Sequence, residues 1–152
     1  MKISSFLFFM CLAIGAAAAD RPYNESADAK LDIKQALATA TNTPVLVVFG
    51  ANWCGDCAAL DAAMKHGASA KLLANDFKIV KVDVGHFDKN EDVAKSYGVP
   101  LEKGIPAVAI LSPKNEVLYV TKQGELASAR KMSDDGIYQF FKRVTESAKQ
   151  KQ

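Results

Sequence analysis

The sequence predicts an α/β protein in which a mixed central sheet carries helices on both faces. Three observations lead to this prediction. The first part of the chain alternates helical apolar periodicity with short β-rich apolar runs, which is typical of strands joined by helices. Two later strands are separated only by a turn, which indicates an antiparallel hairpin. The 152 residues, 49% of them hydrophobic, suffice for one globular domain with a sizeable core.

The elements of the first half follow a short segment, residues 20–26, which we expect to be a flexible lead-in. Apolar residues at helical spacing then predict a helix from Ala27 to Ala40. The apolar run Val45 to Gly50 predicts a strand that is buried on both faces. The stretch from Cys57 to Gly67 indicates a helix that starts close behind this strand, and a shorter helix is expected from Ser69 to Asn75.

The second half continues the alternation and ends in a helix. Phe77 to Val84 is expected to be a strand, and a short helix around Glu91 to Tyr97 follows a polar loop. Ala107 to Leu111 and Val117 to Val120 are the two strands of the hairpin, because the turn SPKNE joins them. Apolar residues on one face predict a last helix from about Ser133 to Ala148.

The first nineteen residues have the features of a secretory signal peptide. Lys2 supplies a positive start, an apolar run follows, and Ala17-Ala18-Ala19 provides small residues just ahead of Asp20. The run is short for a membrane span, and no stop-transfer flank follows it. We therefore expect cleavage after Ala19, which leaves residues 20–152 as one domain and removes Cys11.

The charge balance argues against nucleic acid as a partner. The chain has 19 basic and 17 acidic side chains, and its formal net charge is only +2. We expect a monomer that binds no nucleic acid.

The stretch NWCGDC, Asn52 to Cys57, holds the two cysteines that would remain after cleavage. Two cysteines at this spacing can form a redox pair, half of a metal site or a structural bridge. A bridge between Cys54 and Cys57 closes a very small loop, so it would stabilise the fold little. A closed zinc site requires four ligands, and the chain has no second C-x-x-C.

The position of the pair, between a buried strand and a helix, favours redox chemistry. A cysteine at a helix N-terminus meets free backbone N–H groups and the positive end of the helix dipole, which stabilise its thiolate. We therefore expect Cys54 to attack a disulfide, and Cys57, one helical turn further on, to resolve the mixed disulfide. This chemistry requires no cofactor beyond the redox-active pair itself.

Three stretches make the sequence resemble the thioredoxin superfamily, from about Ala29 to Val144. FGANWCGDC resembles the active-site stretch, KVDV (Lys81 to Val84) resembles the central strand, and GIPA (Gly104 to Ala107) resembles the loop with the family's cis-proline. The resemblance implies the three-layer thioredoxin-like fold. Within the superfamily, the chain resembles secreted bacterial reductases and the carboxy-terminal domain of membrane thiol-disulfide interchange proteins.

The resemblance also implies roles for individual residues. Pro106 would follow a cis peptide bond beside the cysteines, and the backbone of Ile105 would then be exposed for pairing with a substrate. Trp53 and Gly55 match the active-site motif and are expected to support the two cysteines. No metal ligands are expected.

The chain departs from the family pattern beneath the motif. Val48 stands where the family has a buried aspartate, six residues before the first cysteine, so the group that deprotonates Cys57 is left open. Lys81 matches a lysine that the family places near that aspartate, and it is interpreted as a partly buried stem. Gly50 stands where the family often has a second tryptophan.

Asp56 replaces the proline of the common motif, and it bears on the direction of the reaction. A carboxylate beside Cys54 opposes the thiolate, favours the disulfide form and makes the protein a better electron donor. The sequence therefore predicts a secreted reductase of protein disulfides in a bacterial periplasm, supplied with electrons by a membrane thiol reductase. Two alternatives stay open: a disulfide oxidase or isomerase, and a metal-handling module that binds copper through its thiolates.

His66 and His86 are the two histidines that could extend such a metal site. His66 stands at the end of a predicted helix, where a cation suits the helix dipole, and His86 stands in a polar loop. Both are interpreted as having no special role.

Overall fold

The computed structural model describes residues 21–151. The predicted signal peptide, residues 1–19 with Cys11, lies outside the described residues. Within the described range, a four-stranded sheet lies between two layers of helices, which confirms the predicted fold class. No helix in this range is long and apolar enough to cross a membrane.

The elements follow the predicted order, with boundaries that differ by a few residues at some of their ends. The helices α1 to α5 are Ala29–Ala38, Gly55–Lys65, Gly67–Asp76, Glu91–Ser96 and Asp134–Lys149, and the strands β1 to β4 are Val45–Gly50, Lys78–Asp83, Ala107–Leu111 and Val117–Val120. The first helix starts later than expected because the Asp28 side chain accepts a hydrogen bond from the Leu31 backbone N–H and caps it. Two short 3₁₀ turns, Leu101–Lys103 and Ala129–Lys131, were not predicted.

The sheet has the strand order β2-β1-β3-β4. Strand β1 pairs with β2 in parallel and with β3 antiparallel, and β3 pairs with β4 antiparallel. The two central strands, β1 and β3, are buried along their whole length, which agrees with their continuous apolar sequences. Helices α1 and α4 cover one face of the sheet, and α2, α3 and α5 cover the other.

The segment before α1 is docked on the protein, and the prediction of a flexible lead-in was wrong for its middle. Tyr23 is only 2% exposed. Its backbone N–H donates to Asn52 Oδ1 at 3.0 Å, and its carbonyl accepts from Asn52 Nδ2 at 2.8 Å. A single buried aromatic residue in a polar segment has no periodicity, so the sequence pattern could not reveal it.

Candidate active site

The two cysteines lie where β1 gives way to α2. Cys54 is the residue that caps α2, and its Sγ accepts a hydrogen bond from the Cys57 backbone N–H at 3.1 Å. The two residues are joined by a disulfide, with their Cα atoms 5.2 Å apart. Cys54 therefore sits at the positive end of the helix dipole, as the strand-to-helix position predicts.

The two sulfurs differ in what surrounds them. Cys54 is 6% exposed, and the neighbouring Trp53 is 52% exposed. Cys57 is 0% exposed and lies one turn inside the helix. An incoming molecule would therefore meet the outer cysteine first.

The loop before β3 passes beside Cys54. The Ile105–Pro106 peptide bond is cis, which confirms the expectation drawn from the resemblance. The carbonyl oxygen of Ile105 lies 3.7 Å from Cys54 Sγ. Gly104, directly before, has φ +106° and packs so closely on Ala127 that a side chain there would collide with it.

Three rings form an aromatic rim beside the disulfide: Trp53, His86 and Phe87. The Trp53 Nε1–H donates to the Gly85 carbonyl at 2.7 Å, which fixes the indole across the loop after β2. His86 stacks on the indole with ring centroids 5.2 Å apart, and Phe87 meets it edge-on at 6.1 Å. His86, which had no role in the sequence analysis, therefore supports the orientation of Trp53.

Arg130 lies against the motif from far along the chain, and the sequence analysis missed it. Its backbone N–H donates to Asp56 Oδ1 at 3.0 Å, and its Nε lies 3.5 Å from Asp56 Oδ2. Its guanidinium also passes over Gly55, where an added Cβ would lie 3.3 Å from it. The negative charge of Asp56 is thus offset by a cation, which the sequence could not show because 74 residues separate the two.

Lys81 has a carboxylate partner although Val48 cannot supply one. Its Nζ forms an ion pair with Oδ1 of Asp61, whose side chain is only 5% exposed. Lys65 Nζ lies 2.7 Å from the other oxygen of the same carboxylate. The interpretation of Lys81 as a partly buried lysine without a partner was therefore wrong. The sequence signal that could have corrected it is Asp61, an acid one helical turn after Cys57 on the buried face of α2.

Tyr23 fills the space that Gly50 leaves empty. A Cβ on Gly50 would come within 3.0 Å of both the Tyr23 phenol oxygen and Cys57 Sγ. Burial, and then the charges of Asp61 and Asp83, raise the pKa of the Tyr23 phenol, so the phenol keeps its proton across the physiological range. We call Tyr23, Gly50, Asp61, Lys81 and Asp83 the buried floor of the site.

The histidines stand apart from the cysteines as far as metal binding is concerned. His66 lies at the junction of α2 and α3, and His86 belongs to the aromatic rim. Across residues 21–151, no group of three or more His, Cys, Asp or Glu side chains is arranged to hold a metal ion.

The sequence matches the thioredoxin-like family over residues 26–113, which is more than half of the chain. It is 33% identical over 87 residues to a thioredoxin-like protein of Synechocystis, a match that covers 57% of this chain and 71% of that protein. It is also 30% identical over 96 residues to the thioredoxin of Mycobacterium tuberculosis, covering 62% of this chain and 76% of the relative.

A solved structure resembles the fold more extensively. The disulphide isomerase from Xylella fastidiosa Temecula1 is 50% identical and superposes with a TM-score of 0.81, covering 84% of this chain and 99% of that one. The germline-specific thioredoxin Deadhead of the fruit fly is 21% identical with a TM-score of 0.54, covering 75% and 92% of the two chains, and it shares the fold.

Proposed function

The chain belongs to the thioredoxin-like family and is a thiol:disulfide oxidoreductase, and we propose that it acts in its reduced form on disulfides of exported proteins. The observation that carries this proposal is the contrast between the two sulfurs. Cys54 caps a helix next to the exposed Trp53, and Cys57, one turn further into the helix, is fully buried. This arrangement suits one thiol for attack on an outside disulfide and the other for the step that follows.

The reaction proceeds in two exchanges. The Cys54 thiolate attacks one sulfur of the substrate disulfide, forms a mixed disulfide and releases the other substrate sulfur as a thiolate. Cys57 then attacks Cys54 Sγ, which forms the intramolecular disulfide and releases the second substrate sulfur. The substrate gains two electrons and the Cys54–Cys57 pair loses them, so no further cofactor takes part.

Neighbouring residues hold the substrate for the first exchange. The backbone of Ile105, beside Pro106, faces Cys54 and is suited to pair with the extended chain around a substrate disulfide. Trp53 offers an exposed apolar face on the same side. Gly55 has no side chain that would press on the Arg130 guanidinium, which lies 3.3 Å from the position of an added Cβ.

We assign the reducing direction to the protein, with isomerisation as the second candidate. Asp56 supports reduction because its charge opposes the Cys54 thiolate, although Arg130 weakens that effect. Isomerisation is favoured by the 50% identity to a protein described as a disulphide isomerase. Both reactions begin with attack by Cys54, and they differ in which thiol ends the mixed disulfide.

A Cys57→Ser variant separates the two candidates. Reduction requires Cys57, whereas in isomerisation a thiol of the substrate itself can resolve the mixed disulfide. We expect the variant to lose reduction of insulin by dithiothreitol and to accumulate mixed disulfides that mass spectrometry identifies. Undiminished refolding of a scrambled disulfide protein by the variant, with little insulin reduction by the wild type, would favour the isomerase instead.

We further propose that the protein is exported to the periplasm and receives electrons from a membrane thiol reductase. An oxidising compartment continually refills the disulfide, so a reductase there requires an electron supply. Fractionation of expressing cells should recover a periplasmic form whose first residue is Asp20. A full-length form that starts at Met1 in the cytoplasm would contradict this location.

A further inference from the structure

Cys57 has no exposed surface from which its proton could pass directly to bulk water. Its side chain is 0% exposed, and Tyr23, itself 2% exposed, lies beside it. Before Cys57 can attack Cys54 it must lose a proton, because only the thiolate is nucleophilic. Val48, which stands where the family has a buried aspartate, is apolar, so the acceptor must come from another part of the buried floor.

The Tyr23 hydroxyl lies next to the Cys57 sulfur. Both atoms come within 3.0 Å of the point that a Cβ on Gly50 would occupy, so they lie no more than about 6 Å apart. The hydrogen bonds between the Tyr23 backbone and Asn52 fix this position, since Asn52 belongs to the loop that carries the cysteines. The raised pKa keeps the phenol protonated, so it can pass a proton on without remaining ionised.

Asp83 lies opposite Gly50 on the neighbouring strand. It is the register partner of Gly50 in the parallel β1–β2 pair. Facing residues of a parallel pair lie about 4.8 Å apart and send their side chains to the same side of the sheet. Its side chain is 4% exposed, and its Oδ2 atom has no hydrogen-bond partner in the part of the chain that the structure describes.

The second buried carboxylate is a poorer candidate. Both oxygens of Asp61 are paired with lysines, Lys81 on one side and Lys65 on the other, which stabilise its charged form. The one cation near Asp83 among the described ion pairs is Lys89, whose Nζ lies 3.7 Å from Oδ2. A buried carboxylate that has one cation at 3.7 Å and an oxygen without a hydrogen bond gains more from taking up a proton than one held by two cations.

We propose that Asp83 accepts the proton of Cys57 and that the Tyr23 hydroxyl, which lies beside the Cys57 sulfur and within reach of the charge of Asp83, carries it; the inference rests on the exchange reaction proposed above. The Cys57 proton passes to the phenol oxygen as the phenol proton passes to Asp83 Oδ2. The sulfur electron pair of Cys57 forms the bond to Cys54, and the pair of the broken bond leaves with the substrate sulfur. The proton returns from Asp83 when the disulfide is reduced again.

The charged and titratable groups around Asp83 define what else could shift the pH dependence. Lys89 faces it from the loop after β2, and Tyr23 faces it from the segment before α1. Asp61 reaches the same region from α2, together with the lysines that pair with it. A useful experiment must therefore separate Asp83 from Asp61.

The test follows two successive releases from one reagent. A substoichiometric amount of dithiobis(nitrobenzoic acid) is mixed with the fully reduced protein. The first nitrothiobenzoate reports attack by Cys54, and the second reports attack by Cys57 on the mixed disulfide. Both releases are recorded by stopped-flow absorbance across a range of pH for the wild type and for Asp83→Asn, Tyr23→Phe and Asp61→Asn.

We expect Asp83→Asn to slow the second release roughly 100-fold at neutral pH, the lower end of the effect of a general base. The second release should recover only at alkaline pH, where hydroxide can remove the thiol proton without a general base. Tyr23→Phe should slow the same release in the same pH range, and it keeps the ring, so it tests the idea even where Asp83→Asn folds poorly. The first release should be unchanged in both.

Asp61→Asn is the matched control, because it removes the same charge from a neighbouring buried carboxylate. Because the charge of Asp61 also acts on Tyr23, we expect a small change in the pH dependence of the second release, far below the effect of Asp83→Asn. A wild-type pH dependence in Asp83→Asn, or an equally large shift in Asp61→Asn, would overturn the assignment to Asp83. Absence of any release from the wild-type protein would contradict the proposed function as well.

Discussion

The two sulfurs of one disulfide lie in opposite surroundings. Cys54 borders the aromatic rim and the Asp56–Arg130 pair, where Trp53 and Arg130 are exposed. Cys57 is 0% exposed and packs against the buried floor. The neighbours of each cysteine therefore suit it to one step of the exchange. Those of Cys54 admit a substrate and set the stability of its thiolate. Those of Cys57 exclude water, so a protein group has to accept the proton that Cys57 releases.

Serine substitutions of the two cysteines should have the largest effects on disulfide exchange. Cys54→Ser should reduce exchange with outside disulfides to the level of a protein-free control, because the only thiol at the helix N-terminus is gone. Cys57→Ser should still attack and then remain as a mixed disulfide. Mass spectrometry after mixing each variant with a disulfide-bonded protein measures the trapped species. Trapping by Cys54→Ser and not by Cys57→Ser would reverse the assigned roles.

Substitutions at two glycines compare how tightly the buried floor and the outer side of the site are packed. Gly50→Ala places a Cβ into Tyr23 and Cys57 Sγ, so we expect a loss of about 1–3 kcal/mol in the free energy of unfolding, as for other overpacked cores. Gly55→Ala meets only the flexible end of Arg130 and should stay within about 0.5 kcal/mol of the wild type. Urea unfolding of the oxidised proteins measures both. Equal losses would show that the floor is no more tightly packed than the entrance.

The burial of Tyr23 should make the stability of the folded protein depend on pH under alkaline conditions. Its pKa is raised above the ordinary value of 10, so above that pH the unfolded chain releases this proton while the folded protein retains it. The stabilisation is therefore complete below pH 10 and is lost as the pH rises, by up to about 1.4 kcal/mol per pH unit. Tyr23→Phe should lose stability less steeply above pH 10 than the wild type. Parallel slopes in urea unfolding would mean that the phenol is not buried as described.

Charges on the outer side should have the smallest effects. Arg130→Ala removes a cation near Cys54 and should lower the reduction potential, whereas Asp56→Asn removes an anion and should raise it. A surface pair whose cation is exposed, as Arg130 is, contributes about 0.2–1 kcal/mol, which corresponds to shifts of roughly 5–20 mV for a two-electron couple. Asp56→His should raise the potential further. Equilibration with glutathione measures each value, and shifts of the same sign in the first two variants would contradict the electrostatic explanation.

The fold was predictable because its signals are local. Continuous apolar runs marked β1 and β3, and helical periodicity marked α5, which Ser133 caps. The cysteine pair was found for the same reason, since Cys54 and Cys57 share one short motif. Boundaries shifted where a single side chain decides them, as Asp28 does for α1.

The surroundings of the two cysteines were not predictable, because they depend on contacts between distant parts of the chain. Arg130 reaches Asp56 across 74 positions, and Tyr23 reaches Asn52 across 29. In the sequence, Gly50 was notable only because the family often has a tryptophan at its position. In the structure, the space beside Gly50 is filled by Tyr23, which precedes the first helix. Substitutions in a family motif can therefore be compensated from segments that the motif does not include.

Competitive alkylation of the reduced protein tests the division between the two sulfurs most directly. The fully reduced wild type is treated with limiting iodoacetamide at neutral pH, and the labelled peptides are quantified by mass spectrometry at short times. We predict that Cys54 is modified well before Cys57, because Cys54 caps the helix next to the exposed Trp53, whereas Cys57 is fully buried beside Tyr23. Labelling of Cys57 at an equal or higher rate would contradict it.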